Sequence, residues 1–441
     1  MQTNALVGVL SSVFLALGQL SYAQDGTQTI EYDDGGIYVG TFKDGERHGT
    51  GRYTLPNGYE YDGAWFEGVA EGQGTARFVN GSVYTGQFAN GQPNGTGRIV
   101  YASGATYEGG WVDGQSEGEG IAVFADGSTY SGGWVANQRS GVGRLEGFEG
   151  YIYQGGWLND MQHGQGQASY PDGTVYIGEF AGGQYNGEGV LTLADGSSYS
   201  GGFRNGLRNG KGFQQYPDGS SYDGDFISDE RYGVGTCTGV DGSTFAGDWA
   251  VGKINGFGTA TYPDGSVYEG QFLDRVPSGI GTITYADGTS IRGTWIDGRI
   301  EGKGTLTYAS GIVYEGVFKD SIQNGLGTMT YPGVGVYEGE FLNGQRHGTG
   351  KMSFENGASY EGGYTVGQRD GNGVFIVPGE FTYEGQFTAG EMTGRGTMTF
   401  STGDVYEGNL VNGVRQGQGT LTYASGEVIS GAWANGDPVS N

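Results

Sequence analysis

One interval constrains this chain more than anything else in it: 23 residues. Tyr-x-Gly-x-aromatic segments begin at Tyr38, Tyr61, Tyr84, Tyr107, Tyr130, Tyr153, Tyr176, Tyr199, Tyr222, Phe245, Tyr268, Ile291, Tyr314, Tyr337, Tyr360, Tyr383, Tyr406 and Ile429, with no insertion between them. A period of about 20 to 50 residues makes each unit one supersecondary element, which must stack on its neighbours to bury its apolar side. The chain therefore reads as one array, although domains of roughly 100–200 residues would divide its length two or three ways. Tyr32 and Gly35 fit the end of a half-repeat before the first start, and the eighteenth repeat breaks off after Trp433.

Alternation inside a repeat reads as β-structure. In the unit starting at Tyr337, the residues Tyr337, Gly339 and Phe341 share one face of a strand while Glu338 and Glu340 share the other, because side chains two apart point the same way. All eighteen repeats carry glycine at the third position, which leaves room for a neighbouring strand's ring to lie over it. All seven tryptophans, from Trp65 to Trp433, stand at the fifth position, where Leu410 is the one non-aromatic residue. Asn343-Gly344 signals a tight turn, since short hairpin turns need φ > 0. Gly348-Thr349-Gly350 is expected to open the second strand. Its cleanest copy runs from Gly419 to Tyr423, with Leu421 and Tyr423 on one face and Thr420 and Thr422 on the other. Tyr262-Pro263-Asp264-Gly265 closes a unit with a second turn: proline fixes φ, aspartate caps, and glycine takes the left-handed place. The expected fold class is all-β, an elongated single-layer antiparallel sheet of tandem 23-residue β-hairpins twisted into a ribbon. At about 4.8 Å per strand such a ribbon would run roughly 170 Å.

The succession Tyr-Glu-Gly-x-Phe/Trp, x-x-Gly, x-x-x-Gly-x-Gly and an aromatic followed by Asp-Gly resembles the MORN repeat (membrane occupation and recognition nexus), of a bacterial secreted or periplasmic type, from Gly35 to Trp433. The resemblance implies long antiparallel sheets of successive hairpins and scaffolds that tie proteins together. The family's name implies membrane association.

Composition narrows the partners. Glycine accounts for 96 of 441 residues, about three times ordinary usage, yet the strict period and the 31 tyrosines and 21 phenylalanines argue against disorder. A formal charge of -27 repels nucleic acid and anionic lipid, so no nucleic-acid partner is expected and membrane contact is disfavoured. Cys237 is the one cysteine, which excludes an internal disulfide. No stretch has helical periodicity, so the Gly-x-Gly matches are not phosphate loops, which need a strand, a loop and a helix. No nucleophile elbow or zinc motif appears, and a catalytic site would break a symmetry that this chain barely breaks. No enzyme and no cofactor are expected. The leading expectation is a non-catalytic scaffold for protein–protein interaction; the alternative is a module that stacks cell-wall or surface polysaccharide on its aromatic face. Phospholipid binding ranks below both. A single-layer sheet must also cover its aromatic face, and a homodimer is one way to do so.

At the amino terminus, Ala5 to Leu20 is apolar and uncharged, and Ser21-Tyr22-Ala23 before Gln24 resembles a cleavage site. The segment reads as a signal peptide, although no Lys or Arg precedes the apolar run. A periplasmic or secreted location follows as an expectation. The organisation expected is leader 1–23, amino-terminal cap and half-repeat 24–37, array 38–434 and polar tail 435–441.

Candidate sites are few. His48, His163 and His347 share one repeat position just before a glycine, several repeats apart, and cannot share a metal. The Asp-Gly pairs at Asp126, Asp172, Asp195, Asp218, Asp241, Asp264 and Asp287 are what turns favour, although a carboxylate ladder could also attract Ca²⁺. No metal site is expected. Irregular repeats can mark contacts. Gly147 replaces an aromatic and is followed by Phe148; Gly239 does the same after Cys237. Val334 sits in a loosened Gly333–Gly335 turn, and Val374 and Phe375 make an unusually apolar second strand. These seven residues are the interface candidates.

Overall fold

The computed structural model describes residues 26–439, so the expected leader at 1–23 lies outside the described residues. They contain thirty-seven strands and no helix. They fall into two units: 26–219 with Asp225–Glu230, and Ser220–Gly224 with 231–439. In the first unit, the strands from Gly26–Glu31 to Leu207–Gln215 pair antiparallel, each with the next in sequence. In the second unit those from Thr244–Ala250 to Asp437–Pro438 do the same. Each unit is an open single-layer sheet built hairpin by hairpin.

One hairpin stands for the rest. Val405–Val411 and Val414–Thr422 are joined by Asn412-Gly413, whose φ angles of 50° and 79° give the turn whose twist matches the strands. Tyr406 faces Leu421 and Gly408 faces Gly419. The second strand begins directly after the turn, at Val414, and not at the glycines as the spacing suggested. Gly417 lies inside it with φ 74°, where the register slips between Gly408 and Leu410. An extra residue in one strand leaves its neighbour in an unusual backbone state, and glycine tolerates that state.

The core is a chain of rings on one face. A first-position tyrosine typically meets the ring at the fifth position of its own repeat and that of the next; Tyr383 and Tyr406, on either side of Leu410, each meet one such ring. Tyr61 contacts Trp65 at 5.1 Å and Phe88 at 4.8 Å, both edge-on; Tyr84 contacts Phe88 and then Trp111. Each such pair contributes on the order of 0.5–1.5 kcal/mol beyond its buried area. The glycines make room for this, with one change from the expected arrangement. The ring over a third-position glycine comes from the same strand: Tyr337 lies over Gly339, and it crosses to Gly350 on the paired strand.

Candidate binding surfaces

The ring face is closed from above. First-position tyrosines such as Tyr38, Tyr84 and Tyr268 are fully buried, and the tryptophans are 8% exposed or less. Their polar ends are satisfied by backbone. The Tyr61 hydroxyl donates to the Ala64 carbonyl at 2.9 Å, and the Trp65 indole N–H donates to Gly51 of the preceding repeat at 2.8 Å. All seven indoles make the same bond, fourteen residues back. Burial pushes the phenols up, to about 12 at Tyr38, Tyr130 and Tyr268. Arginines at the tenth position cap the rings. Arg47 lies 4.2 Å from the Trp65 ring centre, Arg139 4.2 Å from Trp157 and Arg415 4.5 Å from Trp433. These buried rings present no free surface on which a sugar could stack.

The Asp-Gly turns use their carboxylates internally. Asp126 Oδ1 accepts from the Ser128 hydroxyl at 2.6 Å and from the Ser128 N–H at 2.9 Å, and Asp195, Asp241 and Asp264 repeat the pattern. The serine hydroxyl first, and then the backbone N–H, hold these carboxyls below their usual range. Among the described residues no three His, Cys, Asp or Glu side chains converge as metal ligands.

The seven interface candidates divide between the two units. Gly147 and Phe148 belong to the first unit and the other five to the second. Phe148 is exposed on a turn closed by the Gly147 N–H to the Tyr151 carbonyl at 2.7 Å, the bond its neighbours also make. Cys237 is half-buried opposite Phe245, and the Gly239 N–H closes its own turn on the Ser243 carbonyl at 2.8 Å. The exposed Val334 offers its carbonyl to Glu355 of the next turn at 2.9 Å. Val374 and Phe375 point to opposite faces, and Phe375 lies under Arg369 at 5.0 Å, beside Phe381.

The outer face, expected to be polar, carries an apolar row instead. Between the two glycines of Gly-x-Gly, the second unit holds Val234, Phe257 and Ile280 in successive repeats, then Lys303, then Leu326; the four apolar residues are exposed at 63%, 59%, 61% and 69%. Other repeats have Thr349, Asn372 or Gln418 there. The row escaped the sequence reading because it lies in a glycine-rich segment; an apolar residue flanked by two glycines was the available signal. Beside Leu326 an open groove of about 890 Å³ runs over the glycine backbone from Gly293 to Gly339. Arg292 and Lys303 stand at one end, Glu315 and Glu338 line one wall, and Val317 and Leu326 line the other. It lies where Ile291 replaces tyrosine, in the repeat that interrupts the chain of rings.

Tandem hairpins with a sealed ring face and a patterned outer face define a repeat scaffold. The MORN-repeat family model matches seventeen segments, the first at 38–58 and the last at 406–428; Ile429, the eighteenth start, lies beyond them. The chain belongs to the MORN-repeat family. No curated protein matches it. Matching solved structures include the TCP domain of SAS-4 from Drosophila melanogaster in complex with a proline-rich motif, at 15% identity and TM-score 0.24, covering 42% of this chain and 99% of that one. The TCP10 domain of Danio rerio CPAP matches at 14% and 0.15, covering 56% and 94%. A virginiamycin B lyase from Staphylococcus aureus matches at 13% and 0.12, covering 72% and 92%. At these TM-scores the likenesses carry no argument about this chain.

Proposed function

We propose that this repeat scaffold acts by binding rather than catalysis, and that it holds a protein partner on its outer face outside the cytoplasm. The observation that carries the reading is the row of Phe257, Ile280 and, beyond Lys303, Leu326, which ends in a groove with charged and apolar walls. Exposed apolar side chains in line cost free energy in water, and a protein surface of matching pattern recovers it. The partner's segment would set apolar side chains against Val317 and Leu326 and a basic group against Glu315 and Glu338. The apolar leader-like segment at 1–23 supports an envelope or secreted location. Among the described residues no helix is long and apolar enough to cross a membrane, and the charge of -27 disfavours anionic lipid.

The test is crosslinked affinity capture from an envelope extract with the tagged full chain, beside a Phe257→Glu, Leu326→Glu variant. One or two near-stoichiometric proteins lost from the variant would support the reading. Equal capture by the variant would remove the outer face from it. Retention of glycan or lipid without protein would overturn the scaffold itself.

A further inference from the structure

Five consecutive strands of the second unit each bring one outer-face residue into a single row along the groove. Arg292 faces Thr305, Thr305 faces Glu315, Glu315 faces Thr328 and Thr328 faces Glu338. Neighbouring strands stand about 4.8 Å apart, so the three charged positions follow one another at steps of about 9.6 Å. All three charged side chains are exposed, and among the described residues none of them forms an ion pair. Lys351, which faces Glu338 from the next strand, pairs instead with Glu361 at 3.8 Å. A second line runs beside the row: Lys303 faces Val317, and Leu326 continues the same wall of the groove. The groove is thus cationic at the Arg292 end, anionic along the rest of one wall and apolar along the other.

The step between the charges selects the backbone that can follow them. A polyproline II chain has three residues per turn and rises about 3.1 Å per residue, so it returns to the same face every 9.3 Å or so. Across the two steps from Arg292 to Glu338, about 19 Å, it falls out of register by less than about 1 Å. An extended β-strand shows the same face every second residue, about 6.7 Å, and so passes Glu315 on its wrong side. An α-helix returns every seven residues, about 10.5 Å, and is out by about 2 Å at Glu338. The polyproline II form also leaves its backbone carbonyls without partners of their own. Between the charges stand the half-exposed Thr305 and Thr328, whose hydroxyls make no hydrogen bond among the described residues and can donate to such carbonyls.

We infer that the groove takes a proline-rich segment of the protein partner in polyproline II form, laid across the strands, with one acidic residue and two basic residues spaced three apart. The inference rests on the outer-face reading above and names the chemistry of the segment bound there. The acidic residue meets Arg292 and Lys303, the first basic residue meets Glu315 and the second meets Glu338. Proline between them fixes φ near the polyproline II value and cannot take part in a strand ladder or a helix interior. Its ring is apolar, and Val317 and the 69% exposed Leu326 are the surfaces that it covers. The sign change along the row sets the direction in which the segment lies, because a segment turned end for end would put a basic residue against Arg292. Its length is set by the array: three charges at one per repeat fill the row before the Lys351–Glu361 pair closes it.

Fluorescence anisotropy of the full chain with short labelled peptides, at about 0.15 M salt, tests it. The probes carry Glu, Lys and Lys at every third position with Pro and Ala between, made in both chain directions. The better of the two is expected to bind at least tenfold more tightly than a peptide of identical composition with the charges at every second position. A chain of charge -27 attracts any basic peptide, and equal composition removes that contribution from the comparison. Glu338→Lys, at an exposed position, is expected to keep the wild-type circular dichroism and to reverse the preference between this peptide and one whose last Lys is Glu. Equal binding of the two spacings overturns the inference, and so does an unchanged preference in Glu338→Lys. Capture from the envelope extract separates this failure from failure of the reading beneath it. If the spacings bind equally while Phe257→Glu, Leu326→Glu still loses its protein, the polyproline II segment falls and the outer face stands; if capture is also unchanged, both fall.

Discussion

The hydroxyl of Tyr360 occupies the space that a side chain at residue 373 would need: a Cβ there would lie 2.5 Å from it, and the same hydroxyl donates to the Gly363 carbonyl at 2.9 Å. Ring and glycine are one unit, repeated along both sheets. This accounts for the absolute glycine at the fourteenth position from Gly51 to Gly419 better than any turn requirement does.

Gly373→Ala is therefore expected to destabilise the chain by about 1–3 kcal/mol through overpacking. Tyr360→Phe should cost less, about 0.5–1.5 kcal/mol for one hydrogen bond. Tyr360→Ile combined with Gly373→Ala should cost less than the sum of the separate changes, because Ile removes the contact with the hydroxyl, although a Cβ at Gly304 in the Ile291 repeat would still lie 2.8 Å from the Arg292 carbonyl oxygen. Urea denaturation of the three variants and of Tyr360→Ile alone gives the coupling; strict additivity would contradict the packing account.

Arg139 closes the ring face above Trp157, and its Nε also donates to Asp160 at 3.0 Å. Arg139→Ala is expected to expose the indole, shift its emission to the red and cost on the order of 0.5–2 kcal/mol. Arg139→Lys should recover little, since an ammonium can neither stack as a plane nor keep the forked contact with Asp160. Full recovery by lysine would mean that charge alone matters at this site.

Alkali should unfold the protein before its tyrosines titrate in the folded state. Burial raises the phenols of Tyr38, Tyr130, Tyr268 and Tyr360 to about 12, against about 10 in an unfolded chain. The folded state thus holds the neutral form. Its contribution is complete below about pH 10 and is lost as pH rises towards about 12. Phenolate absorbance should therefore rise together with loss of circular dichroism. A phenolate signal that saturates near pH 10 in folded protein would show the rings to be open to solvent.

Asp264→Ala removes both bonds to Ser266, at 2.6 Å and 2.9 Å, and should lower the melting temperature. Asp264→Asn should cost less, because Asn80 and Asn356 already accept the equivalent backbone N–H, each at 3.0 Å. Added Ca²⁺ is expected to leave the melting temperature of the wild type unchanged. A calcium-dependent rise lost in Asp264→Ala would convert these turns into a metal site.

Much of this fold was legible in the chain, because its rules are local. Alternation about Gly339 placed Tyr337 and Phe341 on one face, Asn343-Gly344 marked the tight turn, and Tyr262 to Gly265 marked the wider one; each depends on residues adjacent in sequence. The start of the second strand was misplaced because Gly348 looks like a strand opening. It is a bulge glycine within Gln345–Phe354, and a bulge is defined by the partner strand rather than by its own residues.

Among the residues that break the pattern, Phe375 lies beneath Arg369 and Gly147 closes an ordinary turn. The outer-face row kept to the pattern and was overlooked. The 23-residue period by itself determined the hairpins, the pairing partners and the faces on which the rings lie. Only tertiary structure decided which surfaces remained open. Solvent access to Tyr360 or Leu326 depends on what the neighbouring repeats place over it, and that cover comes from side chains of an adjacent repeat, such as Arg139 over Trp157.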